Sequence, residues 1–390
     1  MPVKEQALRK FKISPLPRGV YIAVCAFPAV LTVLFYALRT FTGVMDFVSL
    51  YIAAPVRTFF GMITSPFPFS IMEVSLTVLG LFFIYYIIKS IRLVIHSRGR
   101  RLLTLLRRLL HITVAVLYIW GAFCWLWNVG YFARGFAERN GLRFDGATVA
   151  ELVELTQMFA GRASELAPQM RRDNEGRFAE DRREMLSASD DIFTNIAYEF
   201  PELGGRTFRV KPMMYSWLMS RTGYTGIYFA LTGEAHVNTQ APGHTIPATI
   251  AHELAHQLGV FAEDEANFVA IIAAVSSDNI VFQYSGYYLG LMYLMSAMRD
   301  ADQYAWLEIY RSLAPEVRRD WNDSYEFWRS QRTVDTGITF VDTILTAVTE
   351  TLHDTVNAVY DGFLRANDQE LGLLSYGACV DLLLIYFRPK

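Results

Sequence analysis

Two histidines four residues apart with a glutamate between them, His252-Glu253-Leu254-Ala255-His256, are the residues best spaced for chemistry in this chain. On a helix, side chains i and i+4 stack with β-carbons about 5–6 Å apart. Both imidazoles can then converge on one zinc ion at about 2.0–2.1 Å. Glu253 would project beside the metal, where it can take a proton from a bound water. The flanks fit a single buried helix: Pro247 suits a first turn, Thr245 is placed as an N-cap, Ile250, Leu254 and Leu258 form an apolar stripe, and Gly259 marks the end. A surface helix with two solvated histidines could carry the same five letters. Ionisable groups among Ile, Ala and Leu nonetheless need a reason to be buried, and a metal supplies one.

The third ligand must come from elsewhere. Metzincins place a histidine three residues after the glycine, and Ala262 stands there, which excludes that class. Gluzincins use a glutamate on the next helix, often with Asp or Asn four residues on to hydrogen-bond a liganding histidine. Glu263-Asp264-Glu265-Ala266-Asn267-Phe268 opens such a helix, expected over 266–274. Glu263 is therefore expected to bind the metal and Asn267 to orient a histidine. Glu265, about 200° further round the helix, is the alternative ligand, because the step from His256 to Glu263 is short for that class. The same acids could also simply favour the positive end of a helix dipole.

The elements that hold these residues follow from composition and pattern. The chain has 390 residues, 53% of them hydrophobic, and a positive mean hydropathy of +0.23. Three apolar stretches, about 19–38, 71–90 and 112–132, read as transmembrane helices rather than buried core helices. Lys4, Arg9, Lys10, Lys12 and Arg18 precede the first. Lys89, Arg92, Arg98, Arg100, Arg101, Arg107 and Arg108 fill the second connection, whereas the first holds only Arg39 and Arg57. Positive-inside bias then puts the N-terminus and the second connection in the cytoplasm, and residues 133–390 outside the cytoplasmic membrane. No small-residue cleavage site follows the first stretch, so it reads as an uncleaved anchor. The net charge of −2 is uneven, and its basic residues report topology rather than nucleic-acid binding. Three cysteines imply neither a disulfide framework nor a cysteine metal site.

Residues 133–390 read as one α+β domain. A helix is expected over 147–167, a charged linker over 171–183 and a further helix to about 198. A hairpin or edge strand falls within 224–237, and helices fill the rest, with 266–298 broken at 276–279 and a final apolar run over 378–387.

Together these residues resemble an uncharacterised family of bacterial multi-span membrane proteins with a gluzincin-like HExxH domain. The resemblance rests on Pro66-Phe67-Pro68-Phe69-Ser70, Gly226-Ile227-Tyr228, Thr232-Gly233-Glu234-Ala235, the run from His252 to Gly259, Glu263 to Phe268, Tyr284-Ser285-Gly286 and Ser375-Tyr376-Gly377. It implies a mainly α chain: transmembrane helices, then a zincin-like metallopeptidase domain with a small sheet and a predominantly helical C-terminal part. It also implies a zinc cofactor, a peptide or protein substrate and a bilayer around the anchor. In gluzincins the substrate lies extended along an edge strand before the motif helix, and 224–237 is placed for this, with Glu234 and His236 either lining the cleft or solvated. The donor that stabilises the oxyanion is expected to be Tyr284 or Tyr376, with His236 third. His96 and His111 flank the apolar stretches, His244 and His353 read as structural, and Asn367 and Gln369 as capping or loop residues. A membrane-bound sensor or assembly factor with a structural or vestigial zinc site is the alternative reading, although a purely structural site has no use for Glu253.

Overall fold

The computed structural model describes residues 17–189, 191–333, 339–367 and 376–388; Lys4, Arg9, Lys10, Lys12 and Gln369 lie outside them. The chain opens with α1 (Arg18–Leu38). Helices α2 (Thr42–Val48) and α3 (Ala54–Thr64) follow, joined by a π-helical turn (Ser49–Ala53), then α4 (Ile71–His96) and α5 (Arg101–Leu126). Among the described residues four helices are long and apolar enough to cross a membrane: α1, the joined Thr42–Thr64, α4 and α5. That is one more than the sequence pattern suggests. Thr42–Thr64 is the least apolar of the four, because Asp46, Pro55 and Arg57 interrupt its apolar run.

Helices α1 and α5 run parallel. Tyr21 meets His111 near one end (3.2 Å), and Phe35 packs on Trp125 near the other (ring centroids 5.6 Å). Helix α4 runs antiparallel to α5, with the Tyr86 hydroxyl donating to the Arg108 carbonyl at 3.4 Å. The end of α1 and the start of α4 thus lie at the same end of the bundle, where the rest of the chain packs. Thr42–Thr64 lies along this end: Arg134 pairs with Asp46 at 2.7 Å, and Arg57 Nη1 donates to the Leu126 carbonyl at 2.9 Å. The Thr64 hydroxyl donates to the Thr232 carbonyl at 3.0 Å.

The body begins with α6 (Phe136–Arg139) and α7 (Val149–Leu166). A capping box, with Thr148 accepting from the Glu151 N–H and Glu151 from the Thr148 N–H, fixes the start of α7. Helix α8 (Arg182–Ser187) stops well short of the expected residue 198, and turns follow it. Helix α9 (Ser216–Thr222) lies beside a three-stranded sheet of β1 (Lys211–Pro212), β2 (Gly226–Phe229) and β3 (Glu234–Val237), in the order β1-β3-β2. β2 pairs antiparallel with β3, Ile227 opposite His236, so the expected hairpin forms and β2 is an edge. Gly233 turns the hairpin at φ +67°, where its Cα meets α3 so closely that a β-carbon would lie 2.5 Å from the Arg57 carbonyl oxygen.

Buried polar contacts join this sheet to the start of α4. Ser70 caps α4 by accepting the Glu73 N–H. The Glu234 carboxylate accepts the N–H groups of Ile71 and Met72 and pairs with Lys211 at 2.6 Å. Glu73 accepts the N–H groups of Met214 and Tyr215. His236 is fully buried with Nε2 2.8 Å from the Ser70 hydroxyl. Glu234 and His236 therefore bind a membrane-type helix to the sheet instead of lining a cleft.

Helices α10 (Ile246–Leu258), α11 (Glu263–Val275) and α12 (Ile280–Ala301) form the centre, the last two separated at 276–279 as expected. Their inward faces, including Ile250, Leu254, Phe268 and Ile271, are sealed from solvent. Each such side chain contributes about 1.5–3 kcal/mol. Around them lie α13 (Gln303–Ser312), α14 (Pro315–Gln331), α15 (Thr339–Ala366) and α16 (Tyr376–Phe387).

Candidate functional site

Helix α10 presents His252, Glu253 and His256 from its second half. Pro247 stands in its first turn, and Gly259, at φ +94°, ends it. Thr245 does not cap by its side chain; its hydroxyl donates to the Pro242 carbonyl at 2.8 Å. The chain then turns sharply enough to set Glu263 at the first position of α11, three residues earlier than expected. Val260 in that turn accepts a hydrogen bond from His256 Nδ1 at 2.7 Å, which fixes the ring and aims Nε2 away from the turn.

The short step from His256 is therefore sufficient. Glu263 Oε2 lies 3.2 Å from His252 Nε2, and Oε1 lies 3.6 Å from His256 Nε2. One donor atom from each residue falls within 4.8 Å of the other two. Ligands held at 2.0–2.1 Å around a tetrahedral centre are about 3.3 Å apart, so the spacing suits one small cation. His252 Nδ1 and Glu253 Oε2 are buried without hydrogen-bond partners. Burial would raise the Glu263 carboxyl, but the two imidazoles outweigh it and hold the group well below the usual carboxylate range. Burial would lower His256, but the Glu263 carboxylate overrides it and lifts the imidazole to about 9. Burial pushes Glu253 up to about 7, against the pull of both histidines.

Glu253 packs against the edge strand: a β-carbon on Gly226 would lie 2.4 Å from its Oε1. Three tyrosines from distant segments surround Glu263. The Tyr360 hydroxyl, on α15, donates to Oε1 at 2.5 Å. Tyr224 meets Tyr360 edge-on at 5.6 Å, with its own hydroxyl buried and unpartnered. Burial, reinforced by the Glu263 charge, pushes the Tyr224 phenol up to about 12 and the Tyr131 phenol well up. Trp127 completes the wall, edge-on to His256 at 5.5 Å. None of these aromatic residues stood out in the sequence, since 21 tyrosines offer no spacing signal.

The other expected residues lie elsewhere. Glu265 is buried and turned away, its carboxylate accepting the N–H groups of Phe136 and Ala137 at 2.7 and 2.8 Å, so it closes a backbone turn and cannot join the cluster. Among the described residues no hydrogen bond joins Asn267 to either histidine; Val260 orients His256 instead. Tyr284 is fully buried and donates to Asp320, which also pairs with Arg172 at 2.6 Å, so its hydroxyl is committed to an internal ion network. Tyr376 begins α16, and its side chain lies outside the described residues. His244 is buried with Nε2 2.8 Å from Ser324, and His353 meets Asn357 one helical turn on at 2.9 Å. Asn367 Nδ2 donates to the Phe363 carbonyl at the end of α15.

Fold and site together define a mainly helical, membrane-type protein whose body presents a His-His-Glu cluster beside the edge of a small sheet. The chain belongs to the family described as "Protein of unknown function (DUF3810)", whose match spans residues 49–384. No curated protein and no solved structure matches it significantly.

Proposed function

We propose that this protein is a membrane-anchored zinc metallopeptidase. The observation that carries the reading is the convergence of His252, His256 and Glu263 within 4.8 Å, with the buried Glu253 next to the first ligand and against the sheet edge. Among the described residues the cluster offers three protein donors, which suits a site that keeps one position open rather than a closed structural one. Zinc bound there would supply a Lewis acid that lowers the pKa of water and polarises a carbonyl.

The chain's own residues would do the rest. β2 offers its free edge to an extended peptide. Glu253, next to the first ligand and with a buried, unpartnered carboxylate oxygen, would take the proton of the attacking water and return it to the leaving amine. The unpartnered Tyr224 hydroxyl is the donor best placed to meet the carbonyl oxygen as it gains charge. With α1, α4 and α5 as the three crossing helices, the basic connection between α4 and α5 lies at the end of the bundle away from the body. Positive-inside bias then supports an extracytoplasmic body.

The test is Glu253→Gln in purified full-length protein. Bound zinc should persist while peptide hydrolysis is lost. Undiminished, metal-dependent hydrolysis by that variant would reject the assignment.

A further inference from the structure

The His-His-Glu cluster lies at the end of the helical bundle. Trp127, the first residue beyond α5, contacts His256, and Phe261, from the turn before Glu263, packs on the same indole at 5.0 Å. Arg57 ties this corner to Thr42–Thr64: it is buried, donates to the last carbonyl of α5 and lies 5.0 Å over the Phe261 ring. On the other side, Phe363 of α15, one turn beyond Tyr360, reaches Phe123 of α5 at 5.6 Å.

Thr42–Thr64 does not share the course of the three bundle helices. α1 ends and α4 begins at the body, so a single helix between them makes no net crossing. Its contacts with the body run from Asp46 to Thr64, a length of about 27 Å at 1.5 Å per residue. A crossing helix would carry one of those ends across a hydrocarbon core about 30 Å thick. Its opposite face is apolar and open, with Phe47, Tyr51, Phe59 and Ile63 all exposed. With no net crossing, body contacts along its length and an apolar outer face, this helix lies in the plane of the bilayer surface. Met214 and Trp217 are also exposed, and they flank Tyr215, whose hydroxyl lies 3.0 Å from that of Thr77 of α4.

We infer that the cluster works at the membrane surface, on polypeptides anchored in the same bilayer, cutting them within the first few residues outside their anchor. This rests on the peptidase reading above. One indole and one imidazole separate the end of α5 from the ligand atoms. That distance is on the order of 10 Å, and an extended chain advances about 3.3 Å per residue, so the bond cut lies roughly three to six residues from the anchor.

The experiment uses the full-length, zinc-loaded protein in liposomes with three probes. The first is a single transmembrane helix followed directly by a degenerate peptide segment. The second lifts the same segment on a helical EAAAK spacer of about thirty residues, roughly 45 Å long. The third is the free segment. Cuts in the first probe should cluster three to six residues from the anchor, and the spacer should slow cleavage by about tenfold or more because it carries the segment out of reach. Equal rates for the lifted or free segment would overturn the inference while leaving the peptidase reading intact. No cleavage of any probe would remove both. A second measurement is independent of turnover: Tyr51→Cys, with the three native cysteines replaced, carries a fluorophore in bilayers with quenchers at defined depths. Quenching should be strongest near the headgroups; strongest quenching at the bilayer centre would show a crossing helix and overturn the inference.

Discussion

Gly226 and Glu253 are in such close contact that a side chain at 226 would displace the carboxylate: a β-carbon there would lie 2.4 Å from Oε1 and 2.8 Å from the carboxyl carbon. The strand edge that would receive a peptide also sets where the proposed base sits. Gly226→Ala should therefore lower kcat by about 10–100-fold, the loss that follows a displacement of about 1 Å, with zinc content unchanged. Measuring kcat and bound zinc on one preparation decides it: an unaltered kcat would show that the contact does not position the base.

Tyr360 donates to the same carboxylate oxygen that faces His256. Tyr360→Phe removes that donor and leaves the ring packing in place. Zinc affinity should fall about 10–100-fold, as for other lost partners of a metal ligand. Chelator competition reads this directly, and wild-type affinity would reduce Tyr360 to a packing residue.

The two acids at the start of α11 should separate cleanly. Glu263→Ala is expected to abolish stoichiometric zinc binding. Glu265→Ala should keep the metal and instead destabilise the fold by about 1–3 kcal/mol, because two buried N–H groups lose their acceptor. Metal analysis and thermal unfolding of both variants check the assignment, and the opposite pattern would make Glu265 the ligand.

His244 gives a pH signature. Burial pushes its imidazole down to about 4, below the unfolded value of about 6.5. The unfolded chain binds the proton first, so this contribution is complete above pH ~6.5 and is lost as pH falls toward 4, by about 3 kcal/mol in all. Other buried groups titrate in the same range, and the informative quantity is the difference between wild type and His244→Gln. The variant's Tm should fall less steeply from pH 7 to pH 4.5; parallel curves would exclude His244 as the source.

The sequence was most legible where chemistry and local geometry coincide. The motif helix, its proline and glycine ends, the hairpin and the helix break at 276–279 all follow from residues within one or two turns of each other. The approach of Glu263 to the two histidines was reachable by the same local reasoning, although the four-residue turn starts α11 three residues earlier than expected. Thr42–Thr64 was missed because Asp46 and Arg57 lower its hydropathy, and only the fold supplies the partners that make them tolerable. Tyr224, Tyr360 and Trp127 come from segments roughly a hundred to more than two hundred residues apart, where no period or spacing links them. Tyr284 and His236 failed as cleft donors for the same reason: their partners, Asp320 and Ser70, are distant in sequence.

The buried strapping between α4 and the sheet bears on how this protein can be handled. Thr64 and Phe69 carbonyls accept from the Lys211 ammonium, Ser70 meets His236, and Glu73 holds the backbone at Met214 and Tyr215. A fragment starting at residue 133 would leave the Lys211 ammonium with Glu234 alone of its acceptors, would strip His236 and the amides of Met214 and Tyr215 of these partners, and would bare the indole-facing side of His256. The body is thus not a detachable soluble unit carried on a passive stalk. Detergent extraction of the whole chain, rather than truncation, is the route to material in which the cluster keeps its shape.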